Sequence, residues 1–213
     1  MIKAEQIFKY RIKFSKSSNS AAHHELRKMI KSALAESGLP FATGKTGPRV
    51  ATGPGAGDGE SSLCEYADIC LLKDVPEQEI NLKLSQFISG GFKIIEVKEV
   101  PYSICSVEAL AQYALYTVGG IKTGADKISE VTEVEIIHEN GIRELLNIKT
   151  LICSVKKTGD DKLELILRLN VQRSACLRQI LTMLPGLEVD ERKFFIERSA
   201  LLWQSGGGNL IAV

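Results

Sequence analysis

Phe8-Lys9-Tyr10-Arg11-Ile12-Lys13-Phe14 alternates aromatic or aliphatic residues with basic ones without a break. A side-chain period of two marks a β-strand with one buried face, because successive Cβ atoms point to opposite sides of the backbone. The stretch therefore predicts an opening strand with Phe8, Tyr10, Ile12 and Phe14 on a core and Lys9, Arg11 and Lys13 on the other face. A helix is expected next, from an N-cap at Asn19 or Ser20, with Leu26, Met29, Ile30, Ala33 and Leu34 at helical spacing. Gly38 and Pro40 stop it. Arg49 to Thr52 and Cys64 to Leu72 read as strands, the longer one apolar enough to be interior. Pro76 opens a second helix with Ile80, Leu84, Phe87 and Ile88 as its stripe, Gly90-Gly91 ends it, and Phe92 to Val100 supplies a fourth strand.

Two helices among four strands in this order predict an α+β fold: a ferredoxin-like β-α-β-β-α-β unit with both helices on one sheet face. The expected domains are residues 1–103 and a second, hairpin-rich α+β half, 104–213. In that half Ser106 to Val118 mixes helix and strand signals, and Gly119 to Ser129 reads as loop. Val131–His138 and Ile142–Ile148 flank Asn140-Gly141, a pair suited to a tight hairpin turn. A second hairpin joins Thr150–Lys157 to Lys162–Asn170, where Leu163, Leu165, Leu167 and Leu169 alternate with other residues. A helix from Ser174 to Leu184, a closing strand from Phe194 to Trp203 and a loose tail from Gly206 complete the expectation.

Composition excludes several classes of function. A net charge of +1 with 25% charged residues argues against a uniformly basic nucleic-acid binder, while leaving room for a local stripe. Cys64, Cys70, Cys105, Cys153 and Cys176 show neither zinc nor iron-sulfur spacing, and they read as mostly buried free thiols in a reducing cytoplasm. No apolar run approaches the ~18 residues of a membrane span, so no membrane association is expected.

The glycine-rich stretch Gly44 to Gly59 imitates a nucleotide-binding loop at Gly44-Lys45-Thr46. One residue too many separates Gly38 from Gly44, and the segment leads from helix to strand, the reverse of what a phosphate loop needs. It reads instead as a long mobile connection. His23, His24 and Glu25 open the first helix and could form an acid-base pair or half a metal site, or simply be exposed polar residues. Asp68 and Glu65 in the interior strand admit a carboxylate paired with Lys93 or Arg49, or a catalytic acid. His138 reads as a hairpin surface residue. No catalytic residue, metal site or cofactor is assigned. The basic strand face, with Lys45 and Arg49, is either solvated or an RNA-binding surface, the latter weakened because the aromatics lie on the opposite parity.

Tyr10-Arg11-Ile12-Lys13-Phe14-Ser15-Lys16, Leu39-Pro40, Pro48-Arg49-Val50, Gly53-Pro54 and Glu65-Tyr66-Ala67-Asp68-Ile69 resemble, in that order, the radical-SAM-linked domain family of unknown function. Ile142 to Ile148, the hairpin after it and the closing Leu201-Leu202-Trp203 look similar as well. Members occur beside radical S-adenosylmethionine (SAM) enzymes or fused behind them. The family's Ser-His-Leu-Asp-like helix start would fall on His23 or His24 with Glu25, and its Asn-Pro-His-Pro-like approach to the second strand is reduced here to Thr46-Gly47-Pro48. The three-cysteine motif of a radical enzyme is missing. The resemblance implies a non-catalytic accessory protein that binds a radical SAM enzyme or its substrate, with a second possibility in tRNA or other RNA. Lys9, Arg11, Lys13, His23, His24, Glu25, Lys45, Arg49 and Asp68 are the candidate binding residues.

Overall fold

The computed structural model describes residues 6–137, 141–169 and 177–213. His138, Asn140, Cys176 and the expected start of the helix at Ser174 lie outside the described residues. The chain forms two compact units, Met1–Ala56 with Ser62–Leu110, and Gly57–Ser61 with Ala111–Val213. Both contain strands and helices, so the fold class is α+β.

The first unit runs β1 (Phe8–Lys16), α1 (His23–Glu36), β2 (Thr43–Gly44), β3 (Gly47–Pro48), β4 (Val50–Thr52), β5 (Ser61–Leu71), α2 (Glu77–Ser85), β6 (Phe92–Val100) and α3 (Val107–Leu110). Its sheet has the order β4-β5-β1-β6, every neighbouring pair antiparallel. The alternation of β1 works as read: Tyr10, Ile12 and Phe14 are buried in one core with Leu26, Ile30, Ala33 and Leu34 of α1 and Ile80 and Leu84 of α2. Burying each such large side chain contributes roughly 2 kcal/mol. That outweighs the weak intrinsic preference of α2, a short helix that also accepts the Glu99 amide on Glu77 Oε1 at 2.7 Å.

Two expectations for this unit are corrected. Helix α1 begins at His23 after an Ala22 that caps nothing with its side chain. The expected caps, Asn19 and Ser20, lie instead in a turn closed by Ser20 N to Ser17 O, which Ser17 N and Ala21 N tie to the carbonyls of Gly91 and Gly90 before β6. The stretch from Gly44 to Gly59 is also not an open connection. It contains the β2–β3 hairpin and β4, and its glycines permit close packing: a Cβ at Gly53 would lie 2.9 Å from Val107 Cγ1, and one at Gly55 would overlap the His23 ring.

The second unit runs β7 (Tyr113–Gly119), β8 (Ile121–Thr123), a 3-10 turn (Asp126–Ser129), β9 (Glu133–Ile137), β10 (Arg143–Asn147), α4 (Ile148–Leu151), β11 (Ile152–Lys157), β12 (Lys162–Arg168), α5 (Leu177–Thr182), β13 (Glu188–Val189), β14 (Phe195–Gln204) and β15 (Leu210–Ala212). Its main sheet has the order β11-β12-β7-β14-β15. Both predicted hairpins are present, β9–β10 and β11–β12. Leu163, Leu165 and Leu167 stand opposite Val118, Tyr116 and Ala114, all buried, as the leucine alternation requires.

The mixed segment 106–118 proves to be a helical turn and then a strand, α3 and β7. Three further readings are corrected. The expected loop 119–129 contains β8, which pairs with β13. The expected loose tail returns as β15 on β14 through a turn closed by Ser205 N to Asn209 O at 2.9 Å, because glycines 206–208 allow the reversal. Cys64 and Cys70 are buried thiols in no disulfide, but Cys105, after β6, and Cys153, in β11, are exposed.

Candidate functional site

Antiparallel pairing of β1 with β5 puts Arg11 directly opposite Asp68, on the face away from the helices. The two form a fork, Arg11 Nε to Oδ1 at 2.9 Å and Nη2 to Oδ2 at 3.2 Å, and Lys9 Nζ approaches Oδ2 at 3.1 Å. The same cations reach over to the strand exit beyond β6. Lys9 Nζ donates to Ile104 O at 2.7 Å and Arg11 Nη2 to Cys105 O at 2.9 Å. The expected solvated basic face is thereby corrected. Residues 104–107 cover part of it, Lys9 and Asp68 are buried, and Arg11 is bound on both sides. The reason is local: a strand carboxylate opposite an arginine neutralises the face, and charge-assisted bonds to carbonyls then dock the covering segment. Lys13, next along, lies 5.9 Å from the Tyr66 ring centroid. The expected partners of Asp68, Lys93 or Arg49, are replaced by Lys9 and Arg11.

Beside this cluster opens a cleft of about 360 Å³, walled by Lys9, Arg49, Asp68, Cys70, Tyr102 and Ser106 and floored by Val50 and Ala51. The Arg49 guanidinium lies 5.5 Å from the Tyr102 ring centroid. Around the cleft three cations, Lys9, Arg11 and Arg49, face one carboxylate, so the field is positive. Burial pushes the Cys70 thiol above its usual range, and Arg49 and Lys9 partly offset that rise.

A second polar group lies on the helix side of the same sheet. His23 Nδ1 is 2.8 Å from Oε2 of Glu65, which is fully buried, and Oε1 accepts the Ala56 amide at 3.2 Å. Lys16 Nζ donates to Ala56 O at 3.2 Å. Through Glu65, His23 is tied to the glycine-rich stretch at Ala56, and it is no exposed first-turn residue. His24 is exposed and Glu25 half-buried on α1, 2.7 Å apart, and the bond from Lys28 holds the Glu25 carboxyl below its usual range. Lys45 is exposed in the β2–β3 turn. Lys31 Nζ bonds the Thr46 carbonyl and hydroxyl, which pins the hairpin at the stretch that imitates a phosphate loop.

The structure therefore gathers Lys9, Arg11, Arg49 and Asp68 in one place, with Lys13 adjoining, and sets His23 with Glu65, His24 with Glu25, and Lys45 apart. Sequence reasoning missed Cys70, Tyr102 and Ser106 as walls of the cleft and Glu65 as the partner of His23. The β1 and β5 parities could have paired Arg11 with Asp68, whereas nothing local marks Tyr102, which follows a strand end. Among the described residues no group of three or more His, Cys, Asp or Glu could hold a metal ion.

These features define an α+β protein with a partly covered cationic cleft on one unit. A family model described as "Uncharacterized protein conserved in bacteria (DUF2344)" matches residues 9–179, from β1 into α5, and the chain belongs to that family. The expectation of a domain of unknown function agrees with that membership. No curated protein matches the chain. No described helix is long and apolar enough to cross a membrane.

Proposed function

We propose that this protein is a non-catalytic cytoplasmic accessory to a radical SAM enzyme, engaging the enzyme or its substrate through the cleft of the first unit. One observation carries the reading. The segments that resemble the radical-SAM-linked family, 10–16, 48–50 and 65–69, form or adjoin β1, β4 and β5, neighbours in one sheet; their Arg49 and Asp68 line this cleft, and Arg11 is bonded to Asp68. The same sheet order supports a ferredoxin-like assignment for the unit. The chemistry present suits binding better than catalysis. Both Asp68 oxygens are held by cations, so the carboxylate is committed to the sheet face. Radical intermediates need exclusion from water, and a separate subunit that closes on the site can supply it. Cys64, Cys70, Cys105 and Cys153 form no disulfide, which suits a reducing compartment.

The RNA-binding alternative is left with Lys13, Lys45 and Arg49, because Lys9 and Arg11 are bound to Asp68. Copurification of the chain with a radical SAM enzyme of the same organism tests the proposal. A complex weakened by Arg49→Glu is expected. No complex at micromolar concentration with S-adenosylmethionine present, together with salt-sensitive tRNA binding lost in Lys13→Glu and Lys45→Glu, would replace it with the RNA reading.

A further inference from the structure

Among the described residues, one cation of the cleft beside β4 and β5 has no ion pair. Lys9 is spent on Asp68 and Ile104, and Arg11 on Asp68 and Cys105. Among the described residues the Arg49 side chain makes no hydrogen bond or ion pair; its guanidinium lies over the Tyr102 ring, 5.5 Å from the centroid. The ring face attracts the cation without using its N–H donors, which stay available to form a fork with a planar or tetrahedral oxyanion. Ser106 supplies a hydroxyl at the same cleft, and Lys9, which also lines it, has a third ammonium proton beyond those engaged with Asp68 and Ile104. Val50 and Ala51 give an apolar floor. A volume of about 360 Å³ matches the smaller ligand pockets and is too small for a folded partner to enter.

We infer that this cleft binds the carboxylate or phosphate of a small organic molecule, with Arg49 as the fork, Ser106 and Lys9 as further donors, Tyr102 as the support of the guanidinium, and the organic portion on Val50 and Ala51. Asp68 is a positioning residue: by holding Lys9 and Arg11 it keeps the wall in place and leaves Arg49 as the unspent charge. The inference rests on the proposed accessory role only in making the bound molecule the radical enzyme's substrate; the binding itself is independent of that role.

The test is a titration of the full ¹⁵N-labelled chain with phenyl phosphate and with benzoate, at ionic strength held constant by chloride, observing the Arg49 side-chain Nε–H and the amides of Val50, Ala51 and Ser106. Saturable shifts in the low millimolar range or tighter are expected, reduced at least tenfold in affinity by Arg49→Gln and severalfold by Tyr102→Leu, with benzyl alcohol inactive. Arg49 is exposed, so Arg49→Gln is expected to fold, which the remaining amide spectrum checks. Shifts that never saturate, that match those of chloride, or that persist unchanged in Arg49→Gln would overturn the inference. So would a single-stranded RNA oligonucleotide that binds more tightly than either small anion and perturbs Lys13 and Lys45. Anion binding without any complex with a radical enzyme would leave the inference standing and remove the accessory role; a complex with a silent cleft would do the reverse.

Discussion

Asp68→Asn takes one charge from a group that holds two cations on the sheet, and its cost separates a structural ion cluster from a surface decoration. Exposed pairs contribute ~0–1 kcal/mol, whereas removing one member of a buried pair costs ~3–5 kcal/mol. Here the side chains of Asp68, Lys9 and Arg11 are 4%, 10% and 13% exposed. That places them near the buried limit, while Ile104 O and Cys105 O still accept from the two cations and soften the loss. The expected cost is about 2–4 kcal/mol, a large part of the ~5–15 kcal/mol that holds a typical domain together. Native-state hydrogen exchange reads the first unit by itself: in the exchange regime governed by the opening equilibrium, amides of β1 and β5 should exchange about 30- to 700-fold faster, at tenfold per 1.4 kcal/mol. Lys9→Met in the Asp68→Asn background should recover part of the loss by removing an unpaired buried charge. A loss under about 1 kcal/mol, or no recovery in the double variant, would refute the view that this cluster organises the sheet face.

Three other outcomes are expected. The Tyr10 hydroxyl donates to Asp74 Oδ1 at 3.0 Å and accepts from Val75 N at 2.9 Å, and burial chiefly raises its pKa to about 12. The unfolded chain then releases this proton near pH 10 and the folded chain only near 12, so stability should fall between those values, and a pH series of urea melts should show a shallower fall for Tyr10→Phe. Gly55→Ala forces a methyl group into the His23 ring and should cost about 1–3 kcal/mol, with the His23 ring signals displaced in the NMR spectrum. Arg49→Gln should change stability by less than about 0.5 kcal/mol in the same melts, since this exposed side chain bonds no described neighbour, which separates its role from that of Asp68.

Much of the fold was legible because period-two and period-3.6 patterns are imposed by the core itself. Tyr10, Ile12 and Phe14 could face only one way, and Leu163, Leu165 and Leu167 likewise. The start of α1 was not legible, because Ser17 and Ala21 are claimed by backbone partners at Gly90 and Gly91, more than sixty residues away. The glycine stretch misled for a related reason. A missing Cβ permits both mobility and close approach, and only the neighbours Val107 and His23 decide between them. The site was half legible: the residues of β1 and β5 were named, but the charge that neutralises them depends on strand register. Tyr102 and Ser106 enter the cleft from a segment with no periodicity at all.

The central claim is that the cleft of the first unit is where this protein meets the radical enzyme or its substrate. Hydrogen exchange of the full chain, alone and mixed with a radical SAM enzyme of the same organism, tests that proposal most directly. The account predicts slowed exchange in residues 49–52 and 102–108, absent when Arg49→Glu replaces the natural chain. A stable complex that slows exchange elsewhere and leaves those two segments unchanged would contradict it.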